Sequence, residues 1–106
     1  MSLQPVPIQN VPGVPDYTCT AFLPKSSDYC LLIPVINEGS RILTELGCAQ
    51  KAGVDRLVDI VICDGGSTDG SMNPDTLELY GVNTLLVKTG PGKQGAQLRM
   101  GLHFAL

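Results

Sequence analysis

The sequence lacks any cluster of basic residues: only 7 of its 106 residues are Lys or Arg, and the net charge is -3. Proteins that grip the phosphates of DNA or RNA need a concentrated basic surface, so nucleic acid is excluded as the expected partner. No apolar run approaches the roughly 20 residues that cross a bilayer, and the N-terminus lacks the basic and apolar regions of a signal peptide. We therefore predict a cytoplasmic protein with no membrane span.

Several catalytic and metal-binding motifs are missing as well. The four cysteines form no C-x-x-C pair and two lie in apolar runs, which favours buried thiols over a disulfide or a zinc site. Gly92-Lys93 lacks both the earlier glycine and the following Ser or Thr of a P-loop. Asp69 and Asp75 stand where a calcium loop starting at Asp64 requires glycine and glutamate. No serine-hydrolase or zinc-protease motif occurs.

Proline is abundant, but it is concentrated at the start of the chain, at positions 5, 7, 12, 15 and 24. Each proline removes a backbone donor and interrupts regular structure, so residues 1–27 are predicted to form an extended arm that contributes little to the core. Residues 1–3 are typical of a cloning remnant and are left out of the fold prediction. Residues 28–106 then form one small domain, near the lower size at which a single core suffices.

Three short apolar runs, residues 29–36, 58–63 and 83–88, are rich in branched side chains and are typical of buried strands, the first being the candidate central strand. Pro34 cannot donate to a ladder, so pairing is predicted to end there. Asn37 is a candidate helix N-cap. In the last helical segment Leu98, Leu102 and Ala105 form an apolar stripe. Strand and helix alternate three times, which predicts an α/β fold with a Rossmann-like parallel sheet.

The loops after the three strands should meet at one edge of a parallel sheet, where ligands bind in such folds. Asn37 and Glu38 offer acceptors for ribose hydroxyls or a base edge, and Asp64 could accept a hydrogen bond from a base. Gly65 and Gly66 would let the backbone approach a ligand closely. These residues are the candidate base and ribose pocket.

Lys93 and Arg99 supply positive charge near the third loop. The helix predicted to begin there also presents unpaired N–H groups, and the two features together suit a diphosphate. Each candidate also has a structural interpretation. Asn37 could act only as a cap, Asp64 and Asp69 as Asx-turn residues, and the two cations as solvated surface charges. His103 is assigned no role.

Three motifs occur in order along the chain: Ile33-Pro-Val-Ile-Asn-Glu38, Cys63-Asp-Gly-Gly-Ser-Thr-Asp-Gly70 and Gly92-Lys-Gln-Gly-Ala-Gln-Leu-Arg-Met-Gly101. They resemble the P-x-x-N-E strand end, the D-D/G-G-S-T-D-G loop and the G-x-x-x-A-x-x-R-N-x-G helix start of family-two glycosyltransferases of GT-A fold. That group includes dolichol-phosphate mannosyltransferases and many bacterial polysaccharide synthases. The resemblance covers about residues 29–106.

The resemblance implies that these loops bind the nucleotide of a UDP- or GDP-sugar and that the acid after the second strand reads the base. The nucleotide-binding residues it implies are Pro34, Asn37, Glu38, Asp64, Gly66, Lys93 and Arg99. Met100 stands where the family usually has Asn, and the sequence stops at Leu106, before the D-x-D signature that holds Mg²⁺ or Mn²⁺ in complete family members. We therefore expect a truncated nucleotide-binding half with no metal site or identified catalytic residue, inactive alone.

A second hypothesis is a non-catalytic α/β module used for assembly. In the family's strand order, truncation would leave residues 29–36 as an exposed apolar edge, and such edges pair with other chains. This hypothesis predicts a homo-oligomer through that strand, unless the proline-rich arm covers it.

Overall fold

The computed structural model describes residues 5–90 and 94–105. The strands are β1 (Val6–Ile8), β2 (Tyr17–Ala21), β3 (Cys30–Val35), β4 (Asp59–Asp64) and β5 (Thr84–Lys88). The helices are α1 (Arg41–Lys51), α2 (Val54–Leu57), α3 (Pro74–Leu79) and α4 (Gln94–Ala105). Among these residues no helix combines the length and apolar character needed to cross a membrane.

The five strands form one mixed sheet in the order β1-β2-β5-β4-β3. β3, β4 and β5 correspond to the three apolar runs and are parallel to one another, whereas β1 and β2 are antiparallel. The α/β class is confirmed. The parallel-only, Rossmann-like sheet is not, because the proline-rich arm adds β2 antiparallel to β5 and then β1 antiparallel to β2.

The arm takes part in the core, contrary to the sequence-based expectation. β2 pairs along its whole length with β5, from Tyr17 opposite Lys88 to Ala21 opposite Thr84. Tyr17 is only 2% exposed and packs with Met100 of α4. The prediction failed because the prolines flank the aromatic and β-branched stretch of β2 without interrupting it.

β3 lies at the edge of the sheet, so its assignment as the central strand was wrong. Its pairing also continues through Pro34, which lies opposite Cys63. The N–H of Gly65 donates to the carbonyl of Val35 at 2.9 Å, so the Val35 peptide faces β4. The preceding residue, Pro34, therefore faces outward, where the missing N–H removes no ladder bond.

Apolar side chains cover both faces of the sheet. On one face α1 and α3 pack on the strands through Val35, Ile42, Leu46, Ile60, Ile62, Leu77, Val82 and Leu85. On the other face α4 packs through Met100 against Tyr17, Val61, Cys63 and Leu86. All six residues of β4 are buried as a result.

The four cysteines are all free thiols, and the two that lie in apolar runs differ in burial. Cys63 on β4 is buried, and burial raises the pKa of its thiol to about 11. Cys30 also lies in an apolar run, but it is exposed because β3 is an edge strand. The prediction of buried thiols therefore holds for Cys63 and is wrong for Cys30.

Candidate functional site

The loops after β3 and β4 leave the same end of the sheet, because these strands are parallel and adjacent. We call residues 36–40 and 64–71 the two-loop site. The third loop begins at Thr89, and its residues 91–93, which include the predicted site residue Lys93, lie outside the described residues.

Asp64 organises the second loop. It is the last residue of β4 and is only 2% exposed. Its Oδ1 accepts hydrogen bonds from the N–H of Gly66 at 3.2 Å, and from the N–H and Oγ of Ser67 at 2.9 and 2.7 Å. All the hydrogen bonds that join its carboxylate to described residues therefore end on one oxygen. This is the turn-forming role that the structural interpretation gave Asp64.

Asn37 ties the first loop to the second. Its N–H donates to Ser67 Oγ at 2.9 Å, and its Oδ1 accepts from the N–H of Thr68 at 2.8 Å. Its backbone adopts φ 46°, which Asn tolerates better than most residues. The predicted N-cap role is wrong, since Ser40 occupies the N-cap position of α1. The side-chain amide oxygen of Asn37 instead accepts a hydrogen bond from the backbone of the neighbouring loop, at Thr68.

Asp69 supplies a third link between the loops. Its Oδ2 accepts from the N–H of Gly39 at 3.1 Å, and its Oδ1 accepts from the Oγ and N–H of Ser71 at 2.6 and 2.9 Å. The hydrogen bonds from Ser71, with a smaller contribution from Gly39, lower the pKa of this carboxyl below its usual value. Asp69 is therefore held ionised where the two loops meet.

Gly66 is required by the backbone of this turn. Its φ of +103° lies in a region that L side chains rarely adopt. Among the described residues a Cβ at Gly66 would meet only the carbonyl of Lys88, at 3.6 Å, so the positive φ, more than a lack of space, requires glycine here.

Glu38 and Pro34 lie on the first loop and at the strand end before it. The carboxylate of Glu38 forms an ion pair with Arg41, three residues along the chain. Pro34 is half-buried in β3. The structure therefore brings Asn37, Glu38 and the Asp64 turn to one end of the sheet.

Arg99 is held by the arm. Its Nε donates to the carbonyl of Gly13 at 3.0 Å, and it lines an open concavity with residues 13–16. This part of the arm lies beside the third loop, since Thr89 and Gly90 donate to the carbonyl of Asp16 at 2.8 and 3.0 Å. None of the predicted base and ribose residues lines that concavity.

Gln97 is a site residue that the sequence reasoning missed. The predicted stripe is not the buried face of α4: Leu98 and Leu102 are 41% and 54% exposed, while Ala96, Gln97, Met100 and Gly101 are buried. Gln97 donates from Nε2 to the carbonyls of Val35 and Cys63, at 2.8 and 2.9 Å. The sequence did hold a signal for it: Gln97 is a polar residue that lies between Ala96 and Met100 at helical spacing.

A cavity of about 330 Å³ lies at the other end of the sheet. It is lined by the first residues of β3, β4 and β5 together with Tyr29 and Phe104. Its lining includes none of the predicted site residues that the structure describes.

The described residues do not form the metal site that the resemblance implies for complete family members. Within residues 5–90 and 94–105 no three His, Cys, Asp or Glu side chains come together as a metal-binding group. No step of sugar transfer is assigned to these residues.

No protein-family model, no curated protein and no solved structure matches this chain significantly. Function is therefore inferred from the residues, their geometry and the motifs that resemble those of family-two glycosyltransferases.

Proposed function

We propose that the two-loop site binds the nucleotide of a nucleotide-diphosphate sugar, as the recognition portion of a glycosyltransferase. The observation that carries the proposal is the direct linkage of the loops after β3 and β4, through Asn37 to Ser67 and Thr68. Loops at the carboxyl ends of parallel strands are where nucleotides bind in open α/β sheets, and the linkage holds these two loops together at that end.

In this proposal Asp64 reads the base through Oδ2, because Oδ1 already accepts three hydrogen bonds from its own turn. A carboxylate oxygen suits the imide N–H of uracil or the N1–H of guanine. Glu38 accepts from the ribose hydroxyls, while Asn37 and Pro34 shape the pocket. As the motif resemblance implies, Lys93 and Arg99 supply positive charge for the diphosphate, Arg99 through the guanidinium nitrogens that do not bond to Gly13.

Calorimetric titration with UDP, GDP, CDP and dTDP tests the proposal, and Asp64→Asn is the decisive variant. Asparagine keeps an oxygen that can accept the hydrogen bonds of the three loop donors. Its amide nitrogen then takes the place of Oδ2, so the base meets a hydrogen-bond donor where it would otherwise meet an acceptor. We expect the affinity for the preferred nucleotide to fall roughly tenfold or more.

Asp75→Asn makes the same change of charge at an exposed position in the first turn of α3, and we expect it to bind as the wild type does. Unchanged affinity in Asp64→Asn would show that Asp64 only shapes the loop. A wild-type chain that binds none of the four nucleotides would refute the proposed function.

A second candidate function, assembly through β3, has its own observation. The carbonyls of Tyr29 and Val35 face β4, since they accept from the N–H groups of Asp59 and Gly65. The alternate peptide groups, those of Cys30, Leu32 and Pro34, therefore face outward. No strand among the described residues pairs with that edge, because β1 and β2 lie at the opposite side of the sheet.

We propose that a second copy of the chain pairs along this edge, and sedimentation in reducing buffer tests it. Lysine on an edge strand opposes pairing, so Cys30→Lys should shift the chain to monomer. Cys48→Lys makes the same change at an exposed position on α1 and should leave the oligomer intact. A wild-type chain that stays monomeric at high concentration would refute this candidate.

A further inference from the structure

Gln97 is a polar residue on the buried face of a helix that packs on the sheet. It is 5% exposed, and its neighbours on that face are Ala96, Met100 and Gly101. A buried amide is unfavourable unless its hydrogen-bonding groups are satisfied. Helix packing alone would be served better by an apolar side chain, so the reason for glutamine must lie in what the amide contacts.

The amide nitrogen of Gln97 bridges two neighbouring strands where they enter the site. It donates to the carbonyl of Val35, the last residue of β3, at 2.8 Å, and to the carbonyl of Cys63, one residue before the end of β4, at 2.9 Å. An amide nitrogen has two hydrogens, so each carbonyl can take one.

Gly65 packs closely against the side-chain amide of Gln97. A Cβ at Gly65 would lie 3.0 Å from both Cδ and Nε2 of Gln97, so only glycine fits there without displacing the amide. Gly65 is the first residue of the turn that Asp64 holds, and its own N–H donates to the carbonyl of Val35 at 2.9 Å. Gln97 therefore contacts the base of both loops at once.

We infer that Gln97 is a positioning residue for the two-loop site: it fixes the ends of β3 and β4 relative to α4, so that the Asn37 and Asp64 loops are preformed for a ligand. Through these contacts Gln97 joins α4 to the ends of both strands that carry the two-loop site. This inference rests on the proposed nucleotide function for its ligand, but the positioning itself is measurable without one.

Gln97→Met tests the inference, because methionine has a similar length and no N–H to donate. Gln50→Met is the matched control: Gln50 also donates from Nε2 to a backbone carbonyl, that of Leu79 at 3.1 Å, but it joins α1 to α3 away from the site. Both variants are compared with the wild type by amide hydrogen exchange and by nucleotide titration, under conditions in which each is folded.

We expect Gln97→Met to speed exchange at the amides of Asn37, Ser67 and Thr68 and to weaken nucleotide binding about tenfold, the effect of losing one or two neutral hydrogen bonds. Gln50→Met should change neither. A purely structural role would lower the melting temperature of both variants while leaving loop exchange and affinity unaltered, and that result would overturn the inference.

Gly65→Ala applies the same perturbation from the opposite side, and it replaces Gln97→Met if that variant fails to fold. Its Cβ must displace the Gln97 amide, so faster exchange at the same three amides is expected, and unchanged exchange would refute the positioning role. If the wild type binds no nucleotide, the proposed function is wrong. The exchange comparison then still supports or overturns the positioning role.

Discussion

Replacing Asp64 with alanine removes the acceptor of three hydrogen bonds at once. The donors are the N–H of Gly66 and the N–H and Oγ of Ser67, at 3.2, 2.9 and 2.7 Å. A hydrogen bond to a charged group contributes about 1.5–3 kcal/mol, and bonds to one shared oxygen are not additive. We therefore expect Asp64→Ala to lower the free energy of unfolding by about 3 kcal/mol.

Asp64→Asn is the matched comparison, since it keeps an oxygen at the same place. It should cost only about 1 kcal/mol, because its hydrogen bonds become neutral but remain. Urea denaturation measures both values. In a thermal melt, 1 kcal/mol shifts a domain of this size by roughly 4–8 °C, so the alanine variant should melt at least about 12 °C lower. An alanine variant within about 1 kcal/mol of the wild type would refute the claim that Asp64 organises the turn.

Three further predictions concern the arm, the loop linkage and the buried thiol. Tyr17→Ala should lower the free energy of unfolding by about 3–5 kcal/mol if the arm belongs to the core, and Tyr17→Phe, which loses only the 2.7 Å hydrogen bond to His103, by about 1 kcal/mol in urea denaturation. In the folded protein the pKa of Asp69 is lowered. Its contribution to the free energy of unfolding is therefore present above its unfolded pKa and is lost as the pH falls through the lower folded pKa. Asp69→Asn removes this contribution, so the variant should lose less stability than the wild type on acidification below about pH 4. Cys63, with its raised pKa, should react far more slowly than exposed Cys30 in thiol labelling at pH 8, and equal rates would contradict its burial.

Sequence patterning predicted the parallel strands well, because branched apolar runs bounded by turn residues have few other structures to adopt. It did not predict where those strands lie in the sheet. An apolar run is compatible with a central or an edge strand. The pairing of β2 with β5 covers the free side of β5 and leaves β3 at the other edge of the sheet. Long-range pairing of this kind leaves no local trace in the sequence.

The site was predicted in outline and corrected in detail. Asn37 and Asp64 do meet at one end of the sheet, but the hydrogen bonds that they form among the described residues go to the loops themselves. Side chains such as Asn and Asp serve equally well as ligands and as loop caps, so residue type alone cannot separate the two roles. Gln97 was missed because a stripe of leucines looked like the buried face of α4, whereas the close approach of Gly101 to Cys63 sets that face.

The measurement that tests the central claim most directly is a titration of the ¹⁵N-labelled chain with UDP and GDP, followed by amide chemical shifts. The account predicts saturable shifts concentrated at Asn37, Gly39 and residues 65–68, and weaker binding in Asp64→Asn. Shifts confined to the cavity beside Tyr29 and Phe104, or none at saturating nucleotide, would contradict it.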